Sequence, residues 1–250
     1  MIKRVKIYGE RNTNTNYVSK LIKLNLDVEE VSGVAPPFIL NLQDKLPGKE
    51  LVRDIYFQLT FKHNLGWKHT CVRPSDQLNM YDAVNESMTF LTITKNPYSW
   101  LMSLYRNPYH QYYTHKPDFE TFLQQPWKTV FRDNCSRKLK SPIHLWNIKN
   151  KSYLQLDRRN TLSVTTESIF EDPAKIIGQL SQNFSINKKT DQFTNYERST
   201  KDKTKDSNYY RDYYLQEKWR ENLSNKAIEI INRSVDREVM EFFGYQLINP

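Results

Sequence analysis

Cysteine is nearly absent from this chain: Cys71 and Cys135 are the only two among 250 residues. Two such residues build neither a disulfide framework nor a thiolate metal site, and they read as ordinary reduced thiols. No His, Cys, Asp and Glu cluster with metal-ligand spacing is visible, so no metal is expected. No stretch is long and apolar enough to read as a membrane-spanning helix. The opening residues, Met1-Ile2-Lys3-Arg4-Val5, lack the apolar core of a secretory leader, which makes the cytoplasm the expected location. The Gly-x-x-x-x-Gly-Lys-Ser/Thr phosphate loop is also missing, which disfavours an ordinary ATPase or kinase. There is no internal repeat and no low-complexity tract.

Aromatic residues and positive charge are plentiful. The formal net charge is +9, a balance that favours an anionic partner: a nucleotide, a nucleic acid, a membrane surface or a sulfated or acidic substrate. The hydrophobic fraction is a modest 38%, but 16 Tyr, 12 Phe and 5 Trp supply large contact areas for a core. No segment has the composition of a linker, so residues 1–250 are expected to form one domain.

Short β-branched runs alternate with helical spacing. Val5-Lys6-Ile7-Tyr8 reads as a strand, followed by Gly9, a polar loop over 10–16 and a helix with Val18, Leu21 and Ile22 on one face. Residues 28–50, with Pro36, Pro37, Pro47 and Gly48, read as an irregular connection. Gly66 to Val72 reads as a short strand and its exit loop. Met88 to Thr94 is the strongest strand signal, and it ends at Lys95-Asn96-Pro97 before a helix carrying Trp100, Leu101 and Leu104. A helix around Leu145-Trp146 and a strand over Thr161–Thr165 follow. Glu167 to Pro173 reads as a turn, Ala174 to Leu180 as the start of a helix, and the polar stretch 187–212 as a mobile surface loop. The last helices cover about 215–243, with Ala227, Ile230, Ile231, Val235 and Val239 as core stripe and Gly244 as their stop. This alternation predicts an α/β fold with a mostly parallel central sheet flanked by helices. Ligands on such sheets bind beyond the carboxyl ends of the strands, so the exits after Tyr8, Lys68 and Thr94 are the places to read for chemistry.

The first exit is Gly9-Glu10-Arg11-Asn12-Thr13-Asn14-Thr15-Asn16-Tyr17. A loop running into a helix N-terminus leaves backbone N–H groups unpaired, and the helix dipole adds partial positive charge. Together they attract anions. Arg11 adds a planar cation suited to phosphate. Thr and Asn also cap helices for purely local reasons. At the third exit Ser103 stands eight residues after Lys95, which brings a hydroxyl on the helix back over a cation at the strand tip. The two can clamp one phosphate from two sides.

Thr13, Thr15, Asn16 and Tyr17 resemble the 5′-phosphosulfate loop of sulfotransferases that use 3′-phosphoadenosine 5′-phosphosulfate (PAPS). Lys95 and Ser103 resemble that family's 3′-phosphate pair, an Arg at a strand end and a Ser eight residues on. The resemblance implies a P-loop-like sulfotransferase architecture, PAPS as donor and 3′-phosphoadenosine 5′-phosphate (PAP) as product. The chain departs from the family at several positions. Asn14 stands where the family has Gly, Asn12 where many members carry a catalytic Lys, and Lys95 where they carry Arg. Arg11 is placed to supply the missing charge. Thr166 replaces a Tyr that contacts adenine in relatives, so adenine stacking must come from elsewhere. The resemblance extends from about 5 to 245, with specific motifs at 9–17 and 91–106.

By the same resemblance Trp67-Lys68-His69, one residue shorter than in relatives, offers Lys68 as a sulfate contact and His69 as the first candidate for general base. His110 is the second and Glu10 the third. The implied donor site is Arg11, Asn12, Thr13, Asn14, Thr15, Asn16, Tyr17, Lys95 and Ser103, with Arg198 and Arg211 on the basic stretch 198–211 placed to close over it. The acceptor is a small molecule or carbohydrate hydroxyl or amine; sugar, alcohol, phenol, lipid and peptide tyrosine are all open. The competing readings are a nucleotide kinase or phosphotransferase of related fold, a basic nucleic-acid-binding protein, and a degenerate sulfotransferase without turnover. No recognised nucleic-acid motif is present, and no nucleic-acid partner is expected.

Overall fold

The structure is a computed structural model, and it describes residues 2–46, 48–81, 87–111, 113–197 and 204–250. In chain order the elements are β1 (Arg4–Gly9), α1 (Thr15–Asn25), β2 (Glu29–Glu30), α2 (Pro37–Lys45), α3 (Lys49–Leu59), α4 (Phe61–Asn64), α5 (Ser75–Leu78), β3 (Met88–Thr94), α6 (Pro97–Arg106), α7 (Phe119–Gln124), β4 (Trp127–Lys128), β5 (Lys138–Leu139), α8 (Pro142–Tyr153), β6 (Thr161–Thr165), α9 (Thr166–Glu171), α10 (Pro173–Phe184), α11 (Ser207–Leu215), α12 (Asn225–Ser234) and α13 (Arg237–Phe242). The fold is α/β: the central sheet has the order β2-β1-β3-β6, and every neighbouring pair in it is parallel. β4 and β5 form a separate antiparallel pair.

Burial on both faces explains why β3 reads as a continuous apolar run. All seven of its residues are buried, as expected of a central strand in a parallel sheet covered on both sides. Its side chains alternate: Leu91 and Ile93 join Val5 and Ile7 against α1 and α10, while Met88 and Phe90 join Tyr8 against Val72 and Tyr153. A third core unites α6, α8, α12 and α13 around Trp100, Trp146 and Trp219. β1 is paired with β2 on one side and β3 on the other, so the strand order reverses at β1. In open α/β sheets a crevice forms at that point, beyond the strand ends.

Four stretches differ from their sequence reading. Residues 66–72 form a turn, not a strand. Gly66 has φ +84, and Thr70 N–H donates back to the Trp67 carbonyl at 3.1 Å. This turn crosses the end of the sheet: Lys68 N–H donates to the Gly33 carbonyl at 3.0 Å, and its own carbonyl accepts from Gly9 N–H at 2.9 Å. Within 28–50, Pro37 starts α2 and Gly48, at φ +84, caps α3, so residues read as breakers act as helix starts. Residues 166–171 are helical because the Thr165 hydroxyl caps Ser168 N–H. Asp206 does the same for Tyr209 N–H and starts α11 inside the stretch read as a loop.

Candidate active site

The loop between β1 and α1 has a tightly determined shape. Asn12 and Asn14 are left-handed, at φ 68 and φ 63, a region Asn tolerates better than most residues. Gly9 has no room for a side chain, since a Cβ there would lie 2.8 Å from the Thr13 hydroxyl and 2.9 Å from the Ile93 carbonyl. Thr13 turns inward and its hydroxyl donates to the Glu10 carbonyl at 2.6 Å. Thr166 donates to the Thr13 carbonyl at 3.3 Å and ties α9 to the same loop. Thr13 and Thr166 are therefore structural braces; the hydroxyl expected to meet an anion is used within the loop.

Beneath the loop lies a buried ion cluster. Glu10 accepts from the Tyr109 hydroxyl at 2.8 Å and from Arg11 N–H at 2.6 Å, and its second oxygen is 3.2 Å from Lys149 Nζ. Lys149 also pairs with Asp133 at 2.6 Å and donates to the His69 carbonyl. Burial opposes the Lys149 charge, but Asp133 and Glu10 outweigh it and hold its pKa well above the ordinary lysine value. This corrects the reading of Glu10 as a base. It is 1% exposed, spent in an ion pair, and does not line the cleft described below. Its role is to fix the loop and, through Lys149, the His69 turn.

That turn is pinned from the other side by Lys6, a buried lysine in the middle of β1. Lys6 Nζ donates to the carbonyls of Asn64 at 2.5 Å and Gly66 at 2.7 Å. Burial pulls its pKa down to about 7, with Glu30 opposing. Held at both ends, the turn presents Lys68 and His69. Lys68 Nζ donates to Asn16 Oδ1 at 2.5 Å, and burial lowers its pKa. His69 Nδ1 lies 2.5 Å from the Gly9 carbonyl oxygen. A carbonyl oxygen only accepts, so Nδ1 carries the proton and Nε2 keeps a free lone pair. Burial, then the neighbouring Lys68, Arg11 and Lys149 charges, push the His69 pKa well below the usual histidine value, opposed only by its bond to Gly9. The imidazole is neutral near pH 7, as a proton acceptor must be.

At the neighbouring strand end, Lys95 Nζ donates to Ser103 Oγ at 2.9 Å and to the Tyr214 hydroxyl at 3.2 Å. Ser103 in turn donates to the Ser99 carbonyl at 3.0 Å. Lys95 is 1% exposed, and burial brings its pKa down to about 8, with Glu167 opposing. The spacing of eight does bring the cation and the hydroxyl together, but Tyr214 of α11 covers the ammonium.

The loop after β1 and the helix α6 that follows β3 line one cleft of about 740 Å³. Its cationic lining is Arg11, Arg53, Lys68, Arg106 and Lys205, against Glu197 and Asp206. The Arg11 guanidinium lies over the rings of Tyr109 at 4.2 Å and Trp67 at 5.1 Å, and its Nε is buried without a partner. Asn12, Asn14, Thr15, Asn16, Tyr17, Lys68, His69 and Ser103 all line the cleft. Tyr17 stacks on Phe170 at 5.1 Å and donates to Asn195 at 2.8 Å. With Tyr210 and Tyr214, which lie against Phe170, it forms an aromatic wall.

Thr13 and Lys95 are buried and do not line the cleft, and three further assigned residues fall elsewhere. His110 does not line the cleft; its Nδ1 is 3.7 Å from Glu50, and burial takes its pKa down to about 4. Arg211 is exposed on α11, off the helix face on which Tyr210, Tyr213 and Tyr214 meet the cleft. Arg198 lies outside the described residues. Sequence reasoning missed Arg53, Arg106, Lys205 and the tyrosines of α11. Arg106 was within reach, since it lies three residues after Ser103 and so shares its helix face. Arg53 was hidden by the reading of 28–50 as irregular.

No family model matches the chain, and no curated protein matches it in sequence. Among solved structures it is similar to a sulfotransferase domain from the curacin biosynthetic pathway, with 11% identity, 99% of each chain covered and a TM-score of 0.44. A likeness at that level carries no weight for function, which rests on the cleft. Among the described residues no His, Cys, Asp and Glu group forms a candidate metal site, and no helix is long and apolar enough to cross a membrane.

Proposed function

We propose that this chain is a sulfotransferase that moves a sulfuryl group from PAPS to an acceptor hydroxyl or amine and releases PAP. One observation carries the reading: the loop after β1 and Ser103, which accepts from the buried Lys95 at the end of β3, line the same cleft, with a neutral, correctly tautomeric His69 on its wall. Two separate anion sites on neighbouring strands suit a ligand with two separated phosphate groups better than a single polyphosphate chain.

The residues present fit such a nucleotide. The volume is in the ordinary range for a small-ligand pocket. The unpartnered Arg11 Nε and the cationic excess suit an anion, and Phe170 with Tyr210 offers aromatic surface for a base where Thr166 does not. When bound, the nucleotide supplies the activated sulfuryl group and a phosphate leaving group. Arg11, Lys68 and the loop amides stabilise negative charge at the transferring end, in a site where fixed donors act more strongly than in water. Lys95, Ser103 and Arg106 hold the far phosphate. His69 Nε2 takes the proton of the acceptor as the acceptor oxygen bonds to sulfur and the donor S–O bond breaks. The resulting imidazolium is retained by Gly9, whose carbonyl faces Nδ1–H.

Transfer of ³⁵S from labelled PAPS to a panel of alcohols, sugars and phenols tests the assignment. Labelled product and PAP should appear together, and His69→Asn should cut turnover by about 10²–10⁴-fold while PAP affinity stays within about threefold, as expected when a group acts only in the transition state. Equal turnover in wild type and His69→Asn would remove His69 from the mechanism.

A further inference from the structure

Cys71 and Cys135 lie far apart in sequence and meet in the fold. Cys71 N–H donates to the Asp133 carbonyl at 2.8 Å, and the Asn134 side chain donates back to the Cys71 carbonyl at 2.9 Å. These two bonds fix the end of the 66–72 turn against the loop 129–137. That loop is closed on itself: Thr129 N–H donates to the Arg137 carbonyl at 3.0 Å, and the Thr129 hydroxyl donates to the Ser136 carbonyl at 2.7 Å. Both cysteines line one cavity of about 590 Å³, and there the Cys71 thiol donates a hydrogen bond to the Cys135 sulfur. Cys71 is buried and Cys135 half-buried.

Two thiols in contact can share a metal, pack as plain core or exchange electrons. Among the described residues no group of three or more His, Cys, Asp and Glu could hold a metal. The pair does not sit in a sealed core either, since both sulfurs belong to a cavity wall and Cys135 is reached from outside. The bond from Cys71 holds the Cys135 pKa below the ordinary thiol value, with burial opposing and the Lys149 charge assisting. The same bond, then burial, hold Cys71 well above it. The more exposed sulfur is thus also the readier thiolate, and the thiolate is the nucleophile in thiol–disulfide exchange. The buried Cys71 is placed to resolve the mixed disulfide that Cys135 would form.

We infer that Cys71 and Cys135 are a redox-active pair that closes to an intramolecular disulfide by exchange with a small-molecule disulfide. The Cys135 sulfur attacks one sulfur of the reagent, the reagent's S–S bond breaks, and one small thiol leaves with the proton from Cys135. Cys71 then bonds to the Cys135 sulfur, the mixed disulfide breaks, and the second small thiol leaves with the Cys71 proton. The protein is oxidised by two electrons and the reagent is reduced by two. The new bond joins segments that Lys149 already holds, since Lys149 pairs with Asp133 and donates to the His69 carbonyl. It makes that brace covalent. Neither cysteine lines the cleft, so closure secures the His69 turn from behind and leaves the anion-binding wall as it is. The exchange needs no nucleotide and does not rest on the transfer reading.

Incubation of the folded wild type with glutathione disulfide tests it. Thiols titrated afterwards in denaturant should fall from two to none, and the intact mass should drop by two hydrogens. A digest should yield the peptides of Cys71 and Cys135 joined, and dithiothreitol should restore both thiols. Cys71→Ser should stop at the glutathione adduct of Cys135, and Cys135→Ser should leave Cys71 unmodified. Because the bond closes a long loop, the oxidised wild type should melt at least about 4 °C above the reduced form. PAP affinity should be the same in both forms. Thiols that stay unreactive in the folded protein, glutathione retained on both cysteines, cross-linking between two copies, or an oxidised form that melts no higher would each overturn the pair. Absence of PAP binding in both forms would instead overturn the donor reading and leave the pair standing, because its closure is measured without nucleotide.

Discussion

The two strand ends that face the cleft solve the same electrostatic problem in opposite ways. After β1, Asn12 and Asn14 sit in left-handed backbone, Glu10 and Lys149 brace the loop from below, and Arg11 Nε has no partner. After β3 the cation is present but occupied. Lys95 is buried, bonded to Ser103 and covered by Tyr214. A guanidinium keeps its charge at any ordinary pH, whereas a buried ammonium loses part of its own to desolvation. On the proposed reading the first site is ready for a ligand, and the second becomes ready when Tyr214 yields its place. On the same reading, a Lys rather than an Arg at position 95 is what makes the second site sensitive to pH.

That contrast can be sharpened through pH. Burial brings the folded Lys95 pKa to about 8 against an ordinary 10.5, so the group is half charged near pH 8 and its charge fades above that. PAP affinity should fall about tenfold between pH 7 and 9.5, and Lys95→Arg, which stays charged, should flatten the profile. Calorimetry across that range checks it, and an unchanged slope in Lys95→Arg removes Lys95 as the source. The same shift has a signature without ligand. Between about pH 8 and 10.5 the unfolded chain holds a proton that the folded chain has released, so this group makes stability rise with pH in that window. Urea unfolding of wild type and Lys95→Met as a function of pH reads the difference.

A smaller effect separates the open site from the covered one. Tyr214→Phe keeps the ring but removes the hydroxyl that accepts from Lys95. With that competitor gone, PAP affinity should improve by about threefold, while Tyr109→Phe, which takes a hydrogen bond from Glu10 on the open side, should weaken it by a similar factor. Titrations of both variants with PAP decide the matter: shifts of the same sign contradict the division of the cleft into an open and a covered site.

Much of this architecture was legible in the residues. β3 and β6 announced themselves by β-branched apolar runs, and the interval between Lys95 and Ser103, read through the resemblance, does bring the hydroxyl to the cation. What was not legible depended on long-range partners. Thr13 was read as a ligand donor, yet nothing local shows that its hydroxyl bonds back to Glu10. Glu10 and His110 were read as bases, but their fates are set by Lys149 and Glu50, which are distant in sequence. The cleft-lining face of α11 was missed although its tyrosine pairs, Tyr209-Tyr210 and Tyr213-Tyr214, recur at helical spacing, because the many charges around them made 187–212 read as a surface loop. Helix α2 was missed for a different reason: a proline starts a helix as readily as it breaks one.

The central claim is that one doubly phosphorylated nucleotide spans both strand ends. Calorimetric titration with PAP and with ATP, using wild type, Arg11→Ala and Lys95→Ala at pH 7, addresses it most directly. PAP should bind the wild type far more tightly than ATP does, and each substitution, removing a charge-assisted hydrogen bond, should weaken PAP by about 10- to 100-fold. ATP binding equal to or tighter than PAP, or PAP binding that only one of the two substitutions affects, would contradict the account.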